Sequence, residues 1–212
     1  MNGILIENIR QLVQVRERTN DNPSFCTGQI MNRLPYIENA WLFIRDDVID
    51  GFGSMDHCPY SEDIPLGTKI IDAAGKCVFP SFCDCHTHIV YAGSREKEFT
   101  DKIRGMSYRE IAARGGGILN SARLLGETSE EELFQQSLVR AKELIRFGTG
   151  AVEIKSGYGL TVQDELKMLR VIRRIGQETP LTVRATFLGA HAVPDRYKGN
   201  QSGNVDQIIE EM

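Results

Sequence analysis

Long apolar runs, blocks of basic residues and internal repeats are all missing from this chain of 212 residues. No apolar stretch approaches the about 18 residues that a membrane-spanning helix needs, so we expect no membrane span. The 25 basic residues are outnumbered by 29 acidic ones and form no cluster, so we expect no nucleic-acid partner. Near the N-terminus, Glu7 interrupts the apolar residues too early for a secretory leader.

Cysteine is scarce as well. The chain has five cysteines, an odd number, and it is too long to depend on disulfides for a stable core. We therefore expect a reducing, cytoplasmic setting. A hydrophobic content of 41% is enough for one globular core with a small appendage. No Gly-x-Gly-x-x-Gly motif follows the first strand pattern, which disfavours a dinucleotide-binding fold.

The first part of the sequence, residues 1–76, predicts a series of short strands. Its apolar residues alternate loosely, and its strand patterns end at glycine or at paired aspartates. We expect this part to form a small β-sandwich-like segment. The predicted strands are Ile4 to Ile9, Leu12 to Val15, Trp41 to Ile44, Val48 to Gly53 and Lys69 to Ala73, and the predicted irregular segment is Asn20 to Pro35.

The second part, residues 77–212, predicts alternating strands and helices, which is typical of an α/β fold with a parallel sheet and right-handed crossovers. Polar and aromatic residues suited to chemistry follow the strands directly. Functional residues at the C-terminal ends of successive strands indicate a (β/α)8 barrel, although a doubly wound sheet would also collect them there. The predicted strands lie near 77–84, 151–154 and 182–187, and a last helix begins at Asn204 or Asp206.

Two helices have clear end signals and apolar stripes. For the helix over 129–147, Ser129 can cap the N-terminus and Gly148 can end the helix. The next helix opens at Thr161, with Asp164 in a position like that of a capping box. The predicted buried stripes are Leu133, Phe134, Leu138, Ala141, Leu144 and Ile145 in the first helix, and Leu166, Leu169, Ile172 and Ile175 in the second.

The pair His86 and His88 is the strongest chemical signal in the chain. Two histidines at i and i+2 of a strand point to the same face, and neutral imidazole binds zinc, iron and nickel. We predict that they form half of a metal site; the alternative is two exposed or hydrogen-bonded histidines at a strand end. Cys83 and Cys85 should point the other way and pack against helices as small apolar residues, which disfavours a structural zinc site.

Other candidate residues each have an ordinary structural alternative. Arg95 lies among charged neighbours and could form a solvated ion pair. Tyr158, between two glycines, could simply pack in its loop, and His191, between two alanines, could be a core histidine. For Lys155 we favour a structural salt bridge over a role as a base. The glycines at 115–117 could form a flexible linker or a nest of backbone donors, and we favour the nest.

Residues 80–88 (PSFCDCHTH), after a β-rich start, resemble the amidohydrolase superfamily. In that superfamily the first barrel strand ends in His-x-His, and the N-terminal segment belongs to a composite β-sandwich. Four further segments resemble the imidazolonepropionase family, and the likeness covers almost the whole chain. They are 86–99 (HTHIVYAGSREKEF), 114–118 (RGGGI), 153–160 (EIKSGYGL) and 186–194 (TFLGAHAVP).

The resemblance implies an activity in histidine degradation. Members hydrolyse the cyclic amide of 4-imidazolone-5-propanoate to N-formimidoyl-L-glutamate, and they use one zinc or iron ion. It implies that His86 and His88 are metal ligands, that Arg95 binds the substrate carboxylate, and that Tyr158 and His191 contact the substrate ring. His191 would also be catalytic, as a donor to the developing oxyanion. The resemblance further implies a small-molecule substrate with a carboxylate and a homodimer at full length.

These implied roles agree with elementary chemistry. A metal with an open coordination position lowers the pKa of its bound water to about 7, so that a nucleophile is available at neutral pH. The planar guanidinium of Arg95 matches a carboxylate with two parallel hydrogen bonds, which a lysine cannot do. A donor to the oxyanion, such as His191, typically lowers the barrier by about 3 to 4 kcal/mol.

The chain departs from the family in length. A complete (β/α)8 barrel needs about 250 residues, far more than the stretch 77–212 provides. The family's third histidine, its aspartate ligand and its proton-transfer acid lie on later strands. We therefore expect this sequence to be the N-terminal portion of an imidazolonepropionase, inactive by itself and weak in metal binding.

Two other functions remain open from the sequence. One is a different amidohydrolase acting on a cyclic amide or amidine, such as a deaminase. In that case Arg95 would have no substrate carboxylate to bind. The second is a non-catalytic binding protein derived from half a barrel, which would have to cover its open sheet edges by oligomerisation.

Overall fold

The computed structural model describes residues 3–15, 27–60, 63–114 and 116–211. The chain is an α/β protein and divides into two compact units, Met1–Pro80 and Ser81–Met212. The first unit is built mainly from strands, and the second alternates strands with helices. Within the described ranges, no helix combines the length and the apolar character needed to cross a membrane.

The first unit is a mixed five-stranded sheet with the order β3-β2-β1-β4, in which β5 also pairs with β1. β2 is antiparallel to both β1 and β3, whereas β4 and β5 run parallel to β1. Two short 3-10 helices, Gly28–Asn32 and Met55–His57, lie outside the sheet. The strands are β1 (Gly3–Val13), β2 (Tyr36–Arg45), β3 (Val48–Ser54), β4 (Lys69–Asp72) and β5 (Cys77–Val78).

The hairpin between β2 and β3 confirms the predicted strand-turn-strand unit. Asp46 and Asp47 adopt positive φ angles of 47° and 67°, the backbone that a tight two-residue hairpin turn requires. Alternate residues of β2 contribute to different apolar clusters: Leu42 packs in one, Trp41 and Phe43 in another. The described residues of this unit form one sheet, so the predicted sandwich has no second sheet among them.

Two strand predictions for this unit are wrong. The two predicted N-terminal strands are one strand, β1, with a register shift between Ile6 and Ile9 and a positive φ of 54° at Asn8. Cys77–Val78 pairs with β1, so 77–84 is not a single strand of the second sheet. Pro80 has no backbone N–H, which suits the break between the two strands. Residues 20–26 of the predicted irregular segment lie outside the described ranges.

The second unit contains a three-stranded parallel sheet in the order β6-β7-β8. Helices connect the strands, as the alternating pattern predicts. The strands are β6 (Phe82–Thr87), β7 (Thr149–Lys155) and β8 (Thr182–Thr186), and the helices are α1 (Glu96–Ile103), α2 (Tyr108–Ala113), α3 (Ile118–Glu127), α4 (Glu130–Arg146), α5 (Val162–Glu178) and α6 (Gln201–Glu211).

Helix α4 follows its sequence signals closely. Ser129 accepts a hydrogen bond from the backbone N–H of Glu132, and Gly148 has a φ of 89° just beyond the last turn. Its predicted apolar stripe packs in the core of the unit together with β7 and α5. The buried members of that core include Val90, Leu125, Leu133, Phe134, Ala141, Val152, Ile154, Met168, Val171, Ile172 and Ile175.

Helix α5 begins as predicted, and most of its predicted stripe lies in the core: Ile172 and Ile175 are fully buried, and Leu169 is partly buried. The hydroxyl of Thr161 accepts a hydrogen bond from the backbone N–H of Asp164 at 3.1 Å. Leu166 is 41% exposed, so its predicted burial is wrong, whereas Met168 is fully buried. The last helix, α6, starts at Gln201, before the predicted start. Three helices between β6 and α4 were not predicted; they are short and bury few side chains.

Candidate active site

The C-terminal ends of the three parallel strands carry a cluster of aromatic and imidazole side chains. His88 follows β6, Tyr158 follows β7, and His191 follows β8. The ring centroid of His88 lies 5.1 Å from that of Tyr158 and 5.2 Å from that of His191, and Tyr158 and His191 are 5.8 Å apart. The structure therefore brings together three predicted site residues that are far apart in the sequence. Because His191 is exposed, the alternative of a buried core histidine does not apply.

The two histidines of the His-x-His pair lie beside each other, with ring centroids 5.7 Å apart. β6 is irregular here: its pairing with β7 shifts register between Asp84 and Thr87, which re-aims side chains relative to a regular strand. The Asp84 carboxylate accepts a hydrogen bond from the backbone N–H of His86 at 3.2 Å. Cys83 and Cys85 are exposed, so the prediction that they pack against helices is wrong for the described chain.

His88 has the properties of a metal ligand. Its Nδ1 is buried and has no hydrogen-bond partner among the described residues. Burial lowers the pKa of His88, and the nearby His191, His86 and Lys155 lower it further. The neutral imidazole, which is the form that binds a metal, is therefore favoured. The residues present thus fit a metal, although no set of three His, Cys, Asp or Glu side chains converges on one point within the described ranges.

The loop after β7 is tied to the loop after β8. The Ser156 hydroxyl is buried and accepts a hydrogen bond from the backbone N–H of Leu188 at 2.9 Å. Gly157 has a φ of 113°, and a Cβ there would lie 2.8 Å from Cβ of His191. Only glycine fits this approach, because any larger residue would push Tyr158 and His191 apart.

Lys155, at the end of β7, forms the structural ion pair that we predicted. Its ammonium group contacts the carboxylate of Glu153, which also accepts a hydrogen bond from the Thr186 hydroxyl at 2.5 Å. The hydrogen bond from Lys155 lowers the pKa of Glu153, and that from Thr186 does so to a lesser degree. Glu153 therefore links β7 to β8 below the aromatic cluster.

Arg95 lies just before α1 and binds Glu98. Its Nε and Nη2 donate to the same carboxylate oxygen at 2.8 and 2.6 Å, which leaves Nη1 outside the pair. The other oxygen of Glu98 accepts a hydrogen bond from the backbone N–H of Gly117 at 2.8 Å. The hydrogen bond to Glu98 raises the pKa of Arg95. Gly115, part of the predicted glycine nest, lies outside the described ranges.

Arg140 and Glu165 each bind backbone groups next to a site residue, and the sequence patterns above pointed to neither. Arg140, on α4, donates to the carbonyl oxygens of Ile89 and Tyr91, both at 2.9 Å, and so fixes the chain just after His88. Glu165 lies on the buried stripe of α5, three residues before Met168. Its helical spacing is a sequence signal for burial that could have identified it; Arg140 has no comparable signal.

Curated proteins share long segments with this chain, although no profile of a known protein family matches it. It is 55% identical to the imidazolonepropionase of Flavobacterium johnsoniae, over 98% of this chain and 49% of that protein. The corresponding protein of Christiangramia forsetii is 53% identical over 99% of this chain and 49% of its own length. The chain belongs to the imidazolonepropionase family. A more distant family member from Brevibacillus brevis is 41% identical, and the chain spans about half the length of all three relatives.

Solved structures agree in fold at much lower identity. E. coli guanine deaminase matches with a TM-score of 0.57 and 16% identity, over 97% of this chain and 42% of that chain. A triazine hydrolase variant matches with a TM-score of 0.56 and 12% identity, over 87% of this chain and 35% of that chain. At such identities the likeness concerns the fold alone. This imidazolonepropionase-family chain therefore shares its chain path with parts of two larger enzymes.

Proposed function

We propose that the complete protein carrying this sequence hydrolyses the cyclic amide of 4-imidazolone-5-propanoate to N-formimidoyl-L-glutamate, in histidine degradation. The observation that carries the proposal is the convergence of His88, Tyr158 and His191 at the ends of three parallel strands. Identity of 55% to an imidazolonepropionase over almost the whole chain supports the choice of substrate. Because the chain spans about half of that relative, the activity is proposed for the complete protein.

The proposed architecture is a (β/α)8 barrel that begins with β6, β7 and β8. Their parallel order and the cluster at their C-terminal ends are what the first strands of such a barrel would show. The first unit would contribute to a composite β-sandwich, with further strands from outside the described residues. This arrangement would also pair the open edges of both sheets.

The proposed cofactor is one zinc or iron ion held by His86 and His88. Two imidazoles are fewer than the three protein ligands typical of a catalytic zinc site, so further ligands would have to come from outside the described residues. When bound, the metal would activate water for attack on the ring amide. For the 212-residue polypeptide alone we therefore expect weak metal binding and no turnover.

The chain's own residues would bind and orient the substrate. Arg95 would hold the propanoate carboxylate through Nη1, or through its full planar edge after release of Glu98. Tyr158 would pack against the imidazolone ring, because its own ring lies 5.1 Å from that of His88, a proposed metal ligand. His191 would donate to the oxygen that becomes negative when the ring amide is attacked.

The proposed setting is the cytoplasm, with a homodimer at full length and a small carboxylate-bearing molecule as substrate. The odd number of cysteines, in a chain too long to depend on disulfides for its core, supports a reducing compartment.

Substitution of Arg95 tests the substrate assignment. In the complete, metal-loaded protein, Arg95→Ala should raise KM for 4-imidazolone-5-propanoate by about 100-fold, and Arg95→Lys should recover only part of this loss because lysine cannot bind a carboxylate in the same planar way. Arg104→Ala, at the other end of α1, is the matched control and should leave KM unchanged. An unchanged KM in Arg95→Ala would refute the assignment of Arg95 to the substrate carboxylate and favour another cyclic amide or amidine as the natural substrate.

A further inference from the structure

Glu165 is a buried acid whose carboxylate faces a loop of the candidate active site. It is only 1% exposed, and it is the only acidic or basic residue among the buried polar residues of the described chain. A buried carboxylate is stable only when hydrogen bonds and favourable dipoles replace its water. Glu165 lies in the first turn of α5, where the helix dipole favours negative charge. The remaining stabilisation comes from the loop after β7.

The carboxylate of Glu165 accepts hydrogen bonds on both sides of Tyr158. The backbone N–H of Gly157 lies 3.1 and 3.0 Å from the two carboxylate oxygens, and the backbone N–H of Gly159 lies 2.6 Å from one of them. The two donors are the residues immediately before and after Tyr158. A single side chain therefore fixes the backbone from which Tyr158 projects.

Packing around these glycines leaves the loop little room to move. A Cβ at Gly159 would lie 2.4 Å from the backbone nitrogen of Glu165, so the loop passes directly against the start of α5. The next residue, Leu160, is buried with a φ of 56°, a conformation that a bulky residue keeps only when its surroundings impose it. Two polar contacts can impose it: the hydrogen bond from Gly159 to Glu165, one residue earlier, and the one that Nη2 of Arg196 donates to the carbonyl oxygen of Leu160 at 3.2 Å.

We propose that Glu165 is a positioning residue, which holds the loop at 156–160 so that Tyr158 stays against His88 and His191. The role of Tyr158 towards substrate rests on the proposed function. The hydrogen bonds by which Glu165 holds the loop do not depend on that function. Glutamine in place of Glu165 keeps the size of the side chain and loses one of its two acceptor oxygens. It also places an amide NH2 group, which is a donor, opposite the N–H groups of Gly157 and Gly159, which need an acceptor.

The first test follows backbone hydrogen exchange in the complete protein. In the unsubstituted protein we expect Gly157 and Gly159 to exchange slowly, and in Glu165→Gln at least about tenfold faster, with β7 unchanged. Glu178→Gln, which alters an exposed carboxylate at the other end of α5, is the matched control and should change neither glycine. Fast exchange at both glycines in the unsubstituted protein would overturn the proposal that Glu165 holds the loop. This measurement does not depend on the folding of any variant.

The second test measures kcat/KM for 4-imidazolone-5-propanoate in a double-mutant cycle. Glu165→Gln should lower kcat/KM by about 10- to 100-fold, because small displacements of a substrate-positioning group have effects of this size. In a Tyr158→Ala background the same substitution should lower it at most about threefold, since the group being positioned is gone. Equal losses in both backgrounds would show a general structural role and overturn the proposal.

The two tests separate the two proposals. If the unsubstituted, metal-loaded protein does not open the ring, the proposed function fails. The exchange comparison then still decides whether Glu165 holds the loop. If the ring is opened but exchange at Gly157 and Gly159 does not respond to Glu165→Gln, the function stands and the positioning role is refuted.

Discussion

The segment after β6 and the loop after β7 both carry proposed substrate contacts, but they are held in place differently. The loop at 156–160 is fixed by two buried side chains, Ser156 and Glu165, through hydrogen bonds to backbone groups. Arg95 is exposed, and its guanidinium is held by an ion pair with the side chain of Glu98. Buried side chains thus fix the position of Tyr158, whereas Arg95 can exchange Glu98 for a substrate carboxylate.

Loss of a metal ligand should produce the largest effect, because it removes the chemistry that both segments serve. In the complete protein, His88→Ala should reduce metal affinity by more than about 100-fold, since even outer-shell partners of ligands contribute 10- to 100-fold. Metal content after dialysis measures this directly. His57→Ala, an exposed histidine of the first unit, is the matched control. Equal metal content in both variants would contradict the assignment of His88.

Arg140 tests how firmly the chain after His88 is held. Arg140→Met keeps the aliphatic part of the side chain but leaves the carbonyl oxygens of Ile89 and Tyr91 without their donor. We expect the free energy of unfolding to fall by about 1.5 to 3 kcal/mol, the usual range for a hydrogen bond to a charged group. Urea unfolding measures the change. Arg146→Met, in the last turn of the same helix, should stay within about 0.5 kcal/mol.

Ser156 tests the loop after β7 in the same way. Ser156→Ala leaves the part-buried backbone N–H of Leu188 without its acceptor, which should lower the free energy of unfolding by about 1 to 2 kcal/mol. Ser202→Ala, at an exposed position of α6, serves as the control. A loss at Ser156 no larger than that of the control would mean that the loop is not fixed by the core, and the contrast with Arg95 would disappear.

The smallest effect should come from the ion pair of Arg95, and it depends on pH. The hydrogen bond from Arg95, followed by that from the backbone of Gly117, lowers the pKa of Glu98 below its ordinary value of 4.5. A lowered carboxyl pKa means that the stabilisation is present above 4.5 and is lost as the pH falls through the native pKa. Glu98→Gln should therefore destabilise the protein at pH 7, by less than about 1 kcal/mol. The difference should vanish in acid; a constant difference across the pH range would contradict this cause.

Local signals predicted α4 and the start of α5 well, and a non-local contact accounts for the error in the strand predicted at 77–84. Ser129 and Gly148 mark the ends of α4 through hydrogen bonds and φ angles within a few residues. The pairing of Cys77–Val78 with β1 depends on a strand more than sixty residues earlier, which no local pattern encodes. Cys77 and Val78 therefore belong to the sheet of the first unit, although the alternating pattern predicted them in the parallel sheet of the second unit.

Within the candidate site, the motif residues could be predicted from the sequence, but Arg140 and Glu165, which hold the neighbouring backbone, were missed. His86, His88, Tyr158 and His191 occur in recognisable segments at strand ends. The predicted packing of Cys83 and Cys85 against helices is wrong, because both are exposed in the described chain. Glu165 was missed because the predicted stripe of α5 contained only apolar residues and began at Leu166, which is exposed, although Ile172 and Ile175 were placed in the core correctly.

The most direct test of the central claim is hydrolysis of 4-imidazolone-5-propanoate by the complete protein before and after its metal is removed. We predict that N-formimidoyl-L-glutamate forms, that a chelator abolishes its formation, and that zinc or iron restores it. Ring opening that persists after metal content has fallen to zero, or no ring opening by the metal-loaded protein, would contradict the account.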